Sequence, residues 1–346
     1  MRERAAGRAV SDGRILRDPE TVVRPAPVNL KADERELFGH EYERHFGSAF
    51  VWDLDSVVAL PNGYLLDNGS LREQGFASAP RGTAALKARI RIARHLLSTT
   101  PSEIPRGLWI TDEFSNGYFH WVCDALPRLE ALPPGEISAR TLIVPAMAAF
   151  SYVTQSLEAY HLSEVRAFSW HERIRCRHLQ VIGEMAPTGN YRPELMRALR
   201  DRMRGHFAAT GSGRRIYVSR SGAAVRRIAN EAEIVPVLDK LGFERVEPER
   251  LSFGEQVRLM GSASILVSNH GAGLTHMCWM GAGTTVLELR RQGDRMNNCY
   301  FALAGALGMA YHYLSCPSVD DRRPTHVADL VVDPARLEHE LVRIGG

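Results

Sequence analysis

The sequence predicts an α/β protein in two parts, with a parallel sheet in the second. Three observations carry this expectation. From about residue 210 onward, apolar strand-like runs alternate with helical runs across short loops, the signature of a parallel sheet with crossover helices. One of those strands, SILVSNH, runs straight into a glycine-rich turn that opens a helix. The composition is that of an ordinary globular protein: 346 residues, 45% hydrophobic and 24% charged, long enough for one large or two ordinary domains.

Bulk properties narrow the classes. A net charge of +3 argues against a nucleic-acid protein held by bulk charge. The basic residues are nearly all Arg, with Lys only at Lys31, Lys87 and Lys240. The planar Arg fork suits phosphate and carboxylate, although coding bias explains most of the preference. Cys123, Cys176, Cys278, Cys299 and Cys316 are scattered, odd in number and without a CxxC pair, which argues against a zinc ribbon and for a reducing compartment. The opening MRERAAGRAVSDGRILRD lacks the apolar core of a signal peptide, and no apolar run reaches the roughly 18 residues a bilayer requires. The expectation is a cytoplasmic chain, at most peripheral to the inner face of a membrane.

Residues 1–48 are polar and charged without a sustained period, and read as a poorly ordered arm. VWDLDSVVALPNGYLLDNGSLRE carries strands broken by hairpin turns at Asn62-Gly63 and Asn68-Gly69, where Asn-Gly supplies positive φ cheaply. A helix follows over about 82–98, ending before Pro101. GLWITDE is a strand and turn. GYFHWVCDALPRLEAL has helical spacing at Phe119, Val122, Ala125 and Leu129. TLIVPA and VRAFSW are strands around the helix SYVTQSLEAYHL, and PELMRALRDRMRGHF begins a helix with Pro193 in its first turn. Thr210-Gly211-Ser212-Gly213 is a flexible joint. Beyond it come RRIYVSR, NEAEIVPVLDKLGF, ERVEPE, SFGEQVRLMGSA, SILVSNH, GAGLTHMCWMGA, TTVLELR and NNCYFALAGALG as strand and helix in turn, then VADLVVD and PARLEHELVRI as a last strand and helix.

The candidate chemistry centres on SILVSNHGAGLTHM, residues 264–277. Glycines after the strand admit close approach of a ligand, and the helix start favours an anion such as a diphosphate. On this motif alone, a tight turn without a ligand is equally expected. It is no clean dinucleotide fingerprint, because His276 stands where Gly or Ala is required. Glu288 in TTVLELR would sit at the crevice and accept ribose hydroxyls, or be a solvated strand end. Arg220 closes RRIYVSR and Arg226 and Arg227 follow in the loop, where an Arg fork neutralises a pyrophosphate; an exposed basic loop is the plainer alternative. Asn230 with Glu233 reads as a helix capping box. His120 and Asp124, four apart on one helix face, form a candidate general base, with Asp124 orienting His120 or acting itself. The plainer reading is a buried His beside a packing Trp121. Asp53-Leu54-Asp55 matches a DxD metal–nucleotide motif, but three residues before a hairpin are expected by chance.

Taken in order, SR, RRIxNE, GFExVxPExLSFxEQ, HGAGLTH and xxVLEL, with FHW, Asp124 and LPRL ahead of them, resemble glycosyltransferase family 61, and a bacterial capsular-polysaccharide-type member of it. The resemblance spans roughly residues 109–290. It implies a GT-B-like fold of two Rossmann-like α/β domains facing a cleft: an acceptor-side domain over 49–209, a nucleotide-sugar domain over 210–325, and 326–346 packing back on the first. It also implies an inverting transfer from a nucleotide diphosphate sugar, such as a UDP-sugar, to a hydroxyl of a glycan or glycolipid, with no cofactor and no essential metal. Arg220, Arg226, Arg227, His270, Gly271, Ala272, Gly273, Leu274 and Glu288 would hold the donor. His120 and Asp124 would supply the base, with Asn116 and Trp121 on the acceptor side. His276, where the family pattern has Asn, and the run Gly281–Gly283, where it often has Pro, leave the donor open. The rivals are a nucleotide-sugar epimerase or hydrolase, a non-catalytic binding subunit, and a metal-dependent transferase using Asp53 and Asp55.

Overall fold

The computed structural model describes residues 13–61, 63–72, 82–144, 150–167, 169–211 and 213–345. The expected features at residues 1–12, Asn62, Pro145, Ala146, Phe168 and Ser212 lie outside the described residues. Packing divides the chain into two units, residues 1–20 with 46–188, and 21–45 with 189–346. Near the start, β1 (Arg14–Arg17) joins the first unit's sheet, while β2 (Glu20–Val23) and β3 (Glu43–Phe46) pair with each other.

The first unit continues through β4 (Ala49–Ala59), β5 (Leu65–Asp67), β6 (Ser70–Leu71), α1 (Thr83–Ser98), β7 (Thr100–Trp109), α2 (Tyr118–His120), α3 (Leu126–Glu130), α4 (Pro134–Ser138), β8 (Thr141–Val144), α5 (Ser151–Glu158), β9 (Glu164–Ala167) and β10 (Glu172–Ile182). Its sheet runs β6-β5-β4-β10-β7-β8-β9, with β1 beside β4. Strands β10, β7, β8 and β9 are parallel, but β4 is antiparallel to β10, so only half of this sheet matches the expected Rossmann-like pattern. The antiparallel half arises from hairpins. Asn68 and Gly69 adopt φ of 47° and 78° between β5 and β6, the two-residue turn that Asn-Gly predicts. Val57, Trp109, Ile143, Leu179 and Val181 fill the core of the sheet.

The second unit contains α6 (Pro193–His206), β11 (Arg214–Val218), α7 (Glu231–Lys240), β12 (Phe243–Val246), α8 (Phe253–Gly261), β13 (Ala263–Asn269), β14 (Thr285–Arg291), α9 (Cys299–Leu307), β15 (Ala310–Cys316) and α10 (Pro334–Gly345). The five strands are all parallel in the order β12-β11-β13-β14-β15. Numbered within the unit this order is 2-1-3-4-5, and it reverses between β11 and β13. Doubly wound sheets of this kind bind ligands at the carboxyl ends of the strands flanking that reversal.

Several expectations need correcting. The division falls at 188/189, ahead of Thr210–Gly213, because α6 packs on α8 and α9. The supposed arm is structured over residues 13–48. The Arg24 guanidinium is buried and donates to Glu41 (2.9 Å) and Asn190 (2.8 Å), and Phe38 is buried against Phe301, Tyr311 and Tyr313, so a few polar bonds and one aromatic anchor hold a segment that has no regular apolar period. Helix α10 belongs to the second unit, where Leu337 and Leu341 join Leu238 and Leu330 in the core. VADLVVD forms no strand, only isolated bridges at Leu330. The Asn230 side chain bonds the backbone of Val332 and the Glu233 carboxylate (3.0 Å) but caps no backbone amide of α7. A capping box forms instead on α8, between Ser252 and Glu255. Among the described residues, no helix is long and apolar enough to cross a membrane.

Candidate functional site

In the second unit the candidate residues gather at the β11/β13 reversal. β13 delivers its chain at Asn269, and the His270 amide still bonds to the Leu289 carbonyl at 3.0 Å. The chain then turns through Gly271, at φ 154° and ψ −179°, a conformation essentially reserved for glycine. The expected helix is a 3-10 helix over Ala272–Trp279, entered by a Leu274 amide bond to the Gly271 carbonyl of 2.9 Å. A Cβ on Gly273 would lie 2.8 Å from Val218 Cγ1 and 3.0 Å from Ser268 Oγ, so the turn is pressed onto β11.

Arg220 follows β11 and lies against this turn, its Nη1 3.1 Å from where a Gly271 Cβ would stand. Burial, and then the charge of Arg226, lower its pKa. The Nε atoms of Arg220 and Arg226 are both buried, and neither has a hydrogen-bond partner among the described residues. Arg226 is held at φ 57°, in the left-handed region, with its carbonyl accepting from the Asn269 side chain. Two neighbouring guanidiniums with unmet Nε donors, beside a turn where Gly271 and Gly273 are crowded against added side chains, form an anion cradle.

Glu288 has a different place from the one expected. It lies inside β14, fully buried, with Oε1 2.5 Å from His270 Nδ1 and Oε2 accepting from the Tyr311 hydroxyl. Burial raises its pKa, but His270, Arg290 and Tyr311 outweigh this and hold it below the usual carboxylate range. Glu288 is therefore placed to orient His270, with both carboxylate oxygens already engaged. Two further donor candidates have partners within the protein or sit in its core. Leu274 is fully buried core, and Arg227 is turned to Asp329, which accepts from its amide (2.8 Å) and its guanidinium (3.3 Å). His276 is buried, donates from Nδ1 to the Gly273 carbonyl at 2.9 Å, and is pushed down to about 4 by burial. Ala272 remains partly exposed on the turn.

In the first unit, His120 and Asp124 meet as expected, with Nδ1 to Oδ2 at 2.7 Å. The helix carrying them is wound as a π-helix over Trp121–Ala125, the kind of local widening found at functional sites. Phe114 stacks on the His120 ring at 5.3 Å. A carboxylate on Nδ1 fixes the proton there and leaves Nε2 to accept one. Thr188 donates to the same Asp124 oxygen at 3.4 Å. Trp121 is fully buried, its indole donating to Ser156 at 2.9 Å, so it is core and not an acceptor contact. Asn116 is exposed, and its carbonyl accepts from the Tyr152 hydroxyl at 2.5 Å.

Two residues escaped the sequence reading. Tyr311 comes from the neighbouring strand β15, and nothing local marks it. Glu184 follows β10, and desolvation by the protein around its carboxyl raises its pKa. Arg128 opposes that rise, and Asp124, Asp112 and Glu113 add to it. Asp53 and Asp55 are engaged across the sheet, accepting from Gln180 at 3.1 Å and facing His178 at 2.7 Å. Among the described residues, no group of three or more His, Cys, Asp or Glu is placed to hold a metal.

Residues 118–287 match the family model described as Glycosyltransferase 61. The chain is 37% identical over 98 residues to an EGF domain-specific O-linked N-acetylglucosamine transferase of Drosophila melanogaster, covering 28% of this chain and 18% of that protein. It is 30% identical over 102 residues to the protein of the same name from Bos taurus, covering 28% and 19%. It is 30% identical over 139 residues to a protein O-linked-mannose beta-1,4-N-acetylglucosaminyltransferase 2 of Tetraodon nigroviridis, covering 39% and 24%. The chain thus spans between 18% and 24% of the length of these animal relatives. Both the His120–Asp124 pair and the glycine turn fall within the matched residues, and over that stretch this chain resembles the Glycosyltransferase 61 family.

Proposed function

We propose that this protein is an inverting glycosyltransferase that binds a nucleoside diphosphate sugar at the β11/β13 reversal and passes the sugar to an acceptor hydroxyl. The observation that carries this reading is the pair of guanidiniums, Arg220 and Arg226, with buried and unmet Nε donors beside the Gly271–Gly273 turn. A diphosphate supplies the charge and acceptors they lack. The acceptor oxygen attacks the anomeric carbon, the bond from that carbon to the diphosphate oxygen breaks, and its electron pair leaves on the diphosphate. Arg220, Arg226 and His270, oriented by Glu288, stabilise that charge as it develops. The acceptor proton passes to His120 Nε2, with Asp124 supporting the imidazolium. A single in-line displacement gives inversion.

Finer parts belong to the same proposal. A GT-B-like division of labour would keep donor chemistry in the second unit and the base in the first. Metal independence rests on a cradle made of cations, with Asp53 and Asp55 engaged elsewhere. A reducing, cytoplasmic setting is supported by five free cysteines. The relatives' names make N-acetylglucosamine the first sugar to test, here as its UDP-linked form, with glycan or glycolipid acceptors. The experiment is a panel of nucleotide sugars in EDTA, following nucleoside diphosphate release and sugar transfer together. One donor consumed only when an acceptor hydroxyl is present supports the proposal. Consumption without acceptor indicates a hydrolase, loss of turnover in EDTA contradicts the metal-free part, and no donor binding at all contradicts the whole reading.

A further inference from the structure

Helix α1 carries two apolar faces, and among the described residues only one of them is covered. Ala88 and Ile92 pack into a core with Leu60, Tyr64 and Leu66. On the other side Leu86, Ile90 and Leu97 stand 60%, 61% and 90% exposed. At about 100° per residue these three fall within about 40° of one another, opposite Ala88 and Ile92. Burial therefore explains only half of the helix's apolar pattern. The exposed stripe is flanked by Arg94, Lys87 and Arg91 on one side and Arg89 on the other, all exposed. The helix, TAALKARIRIARHLLS, contains no acidic residue.

An apolar stripe bordered by cations has the composition of a helix that lies in a membrane interface. A second copy of the same face would set cation against cation. We propose that the outer face of α1 seats on a bilayer containing anionic lipid. Leu86, Ile90 and Leu97 enter the boundary between headgroups and acyl chains, and Lys87, Arg89, Arg91 and Arg94 meet the lipid charge. This surface is independent of the donor site and would stand if the catalytic reading failed.

The test is cosedimentation of the full chain with vesicles of phosphatidylcholine alone or mixed with phosphatidylglycerol. Binding should require the anionic lipid and weaken with salt. Leu86→Gln/Ile90→Gln/Leu97→Gln should weaken it at least tenfold. Arg89→Gln/Arg91→Gln/Arg94→Gln should weaken it about a hundredfold, at about fivefold per charge near the surface. Both variants change exposed side chains, so melting temperature and nucleotide binding should be unaltered. Equal binding of wild type and folded variants, or no binding to anionic vesicles, overturns the proposal. So does a concentration-dependent dimer that the Leu/Ile variant abolishes, which makes a second copy the occupant. Binding to a soluble polyanion without binding to vesicles overturns it as well.

Discussion

Replacing Glu288 by Gln separates two accounts of the same residue. In the structure its carboxylate is fully buried and shared between His270 and Tyr311. Glu288→Gln keeps the volume but removes the charge, and sets an NH2 donor where one of the two accepting carboxylate oxygens stood. Breaking a buried charged pair costs about 3–5 kcal/mol when one partner is simply lost, and the amide retains part of the bonding, so about 3 kcal/mol is expected. At roughly 2–4 °C per kcal/mol for a domain of this size, the melting temperature should fall by about 6–12 °C. There is also a pH signature. Because its neighbours hold Glu288 below the usual carboxylate range, its contribution is fully present above that range and is lost as pH falls through the folded-state value. Glu288→Gln should lack this acid-induced loss. The assay is thermal unfolding from pH 7 downward, paired with nucleotide titration. A ribose contact predicts the opposite pattern: an unchanged melting temperature with about 1.5–3 kcal/mol lost from nucleotide binding. That result would refute the assignment of Glu288 to His270.

Other perturbations follow from the same geometry. Asp124→Asn should lower transfer by about 10²–10⁴ with donor binding and melting temperature unchanged, and wild-type turnover in the folded variant would remove the pair from catalysis. His120→Ala should lower transfer comparably if the imidazole is the base, while substantial retained activity would make Asp124 the base. Gly273→Ala forces a Cβ to within 2.8 Å of Val218 and should cost about 1–3 kcal/mol of stability, read by denaturant unfolding; unchanged stability would mean that the turn is not pressed onto β11.

The second unit was the more legible in sequence. RRIYVSR, SILVSNH and TTVLELR are buried strands in a parallel sheet, so each reads as an apolar run bounded by a loop. The glycine turn was legible because Gly271 and Gly273 are crowded against added side chains. The role of Glu288 was not, since its position in the chain gives a strand but not which neighbours face it. Tyr311 and His270 reach it from adjacent positions in the fold separated by 41 residues' difference in numbering. The 21–45 segment was misread because Arg24, Glu41 and Asn190 anchor it through polar bonds, which leave no hydrophobic period. His120 and Asp124 were visible through helical spacing alone, whereas Glu184 joins them only through the folding of β10.

The account rests above all on the anion cradle, and calorimetric titration of a nucleoside diphosphate in EDTA tests it most directly. Wild type should bind. Arg220→Gln and Arg226→Gln should each lose about 1.5–3 kcal/mol of affinity while remaining folded, since each removes a charged donor from the diphosphate. Undiminished binding by the folded double variant would contradict the central claim.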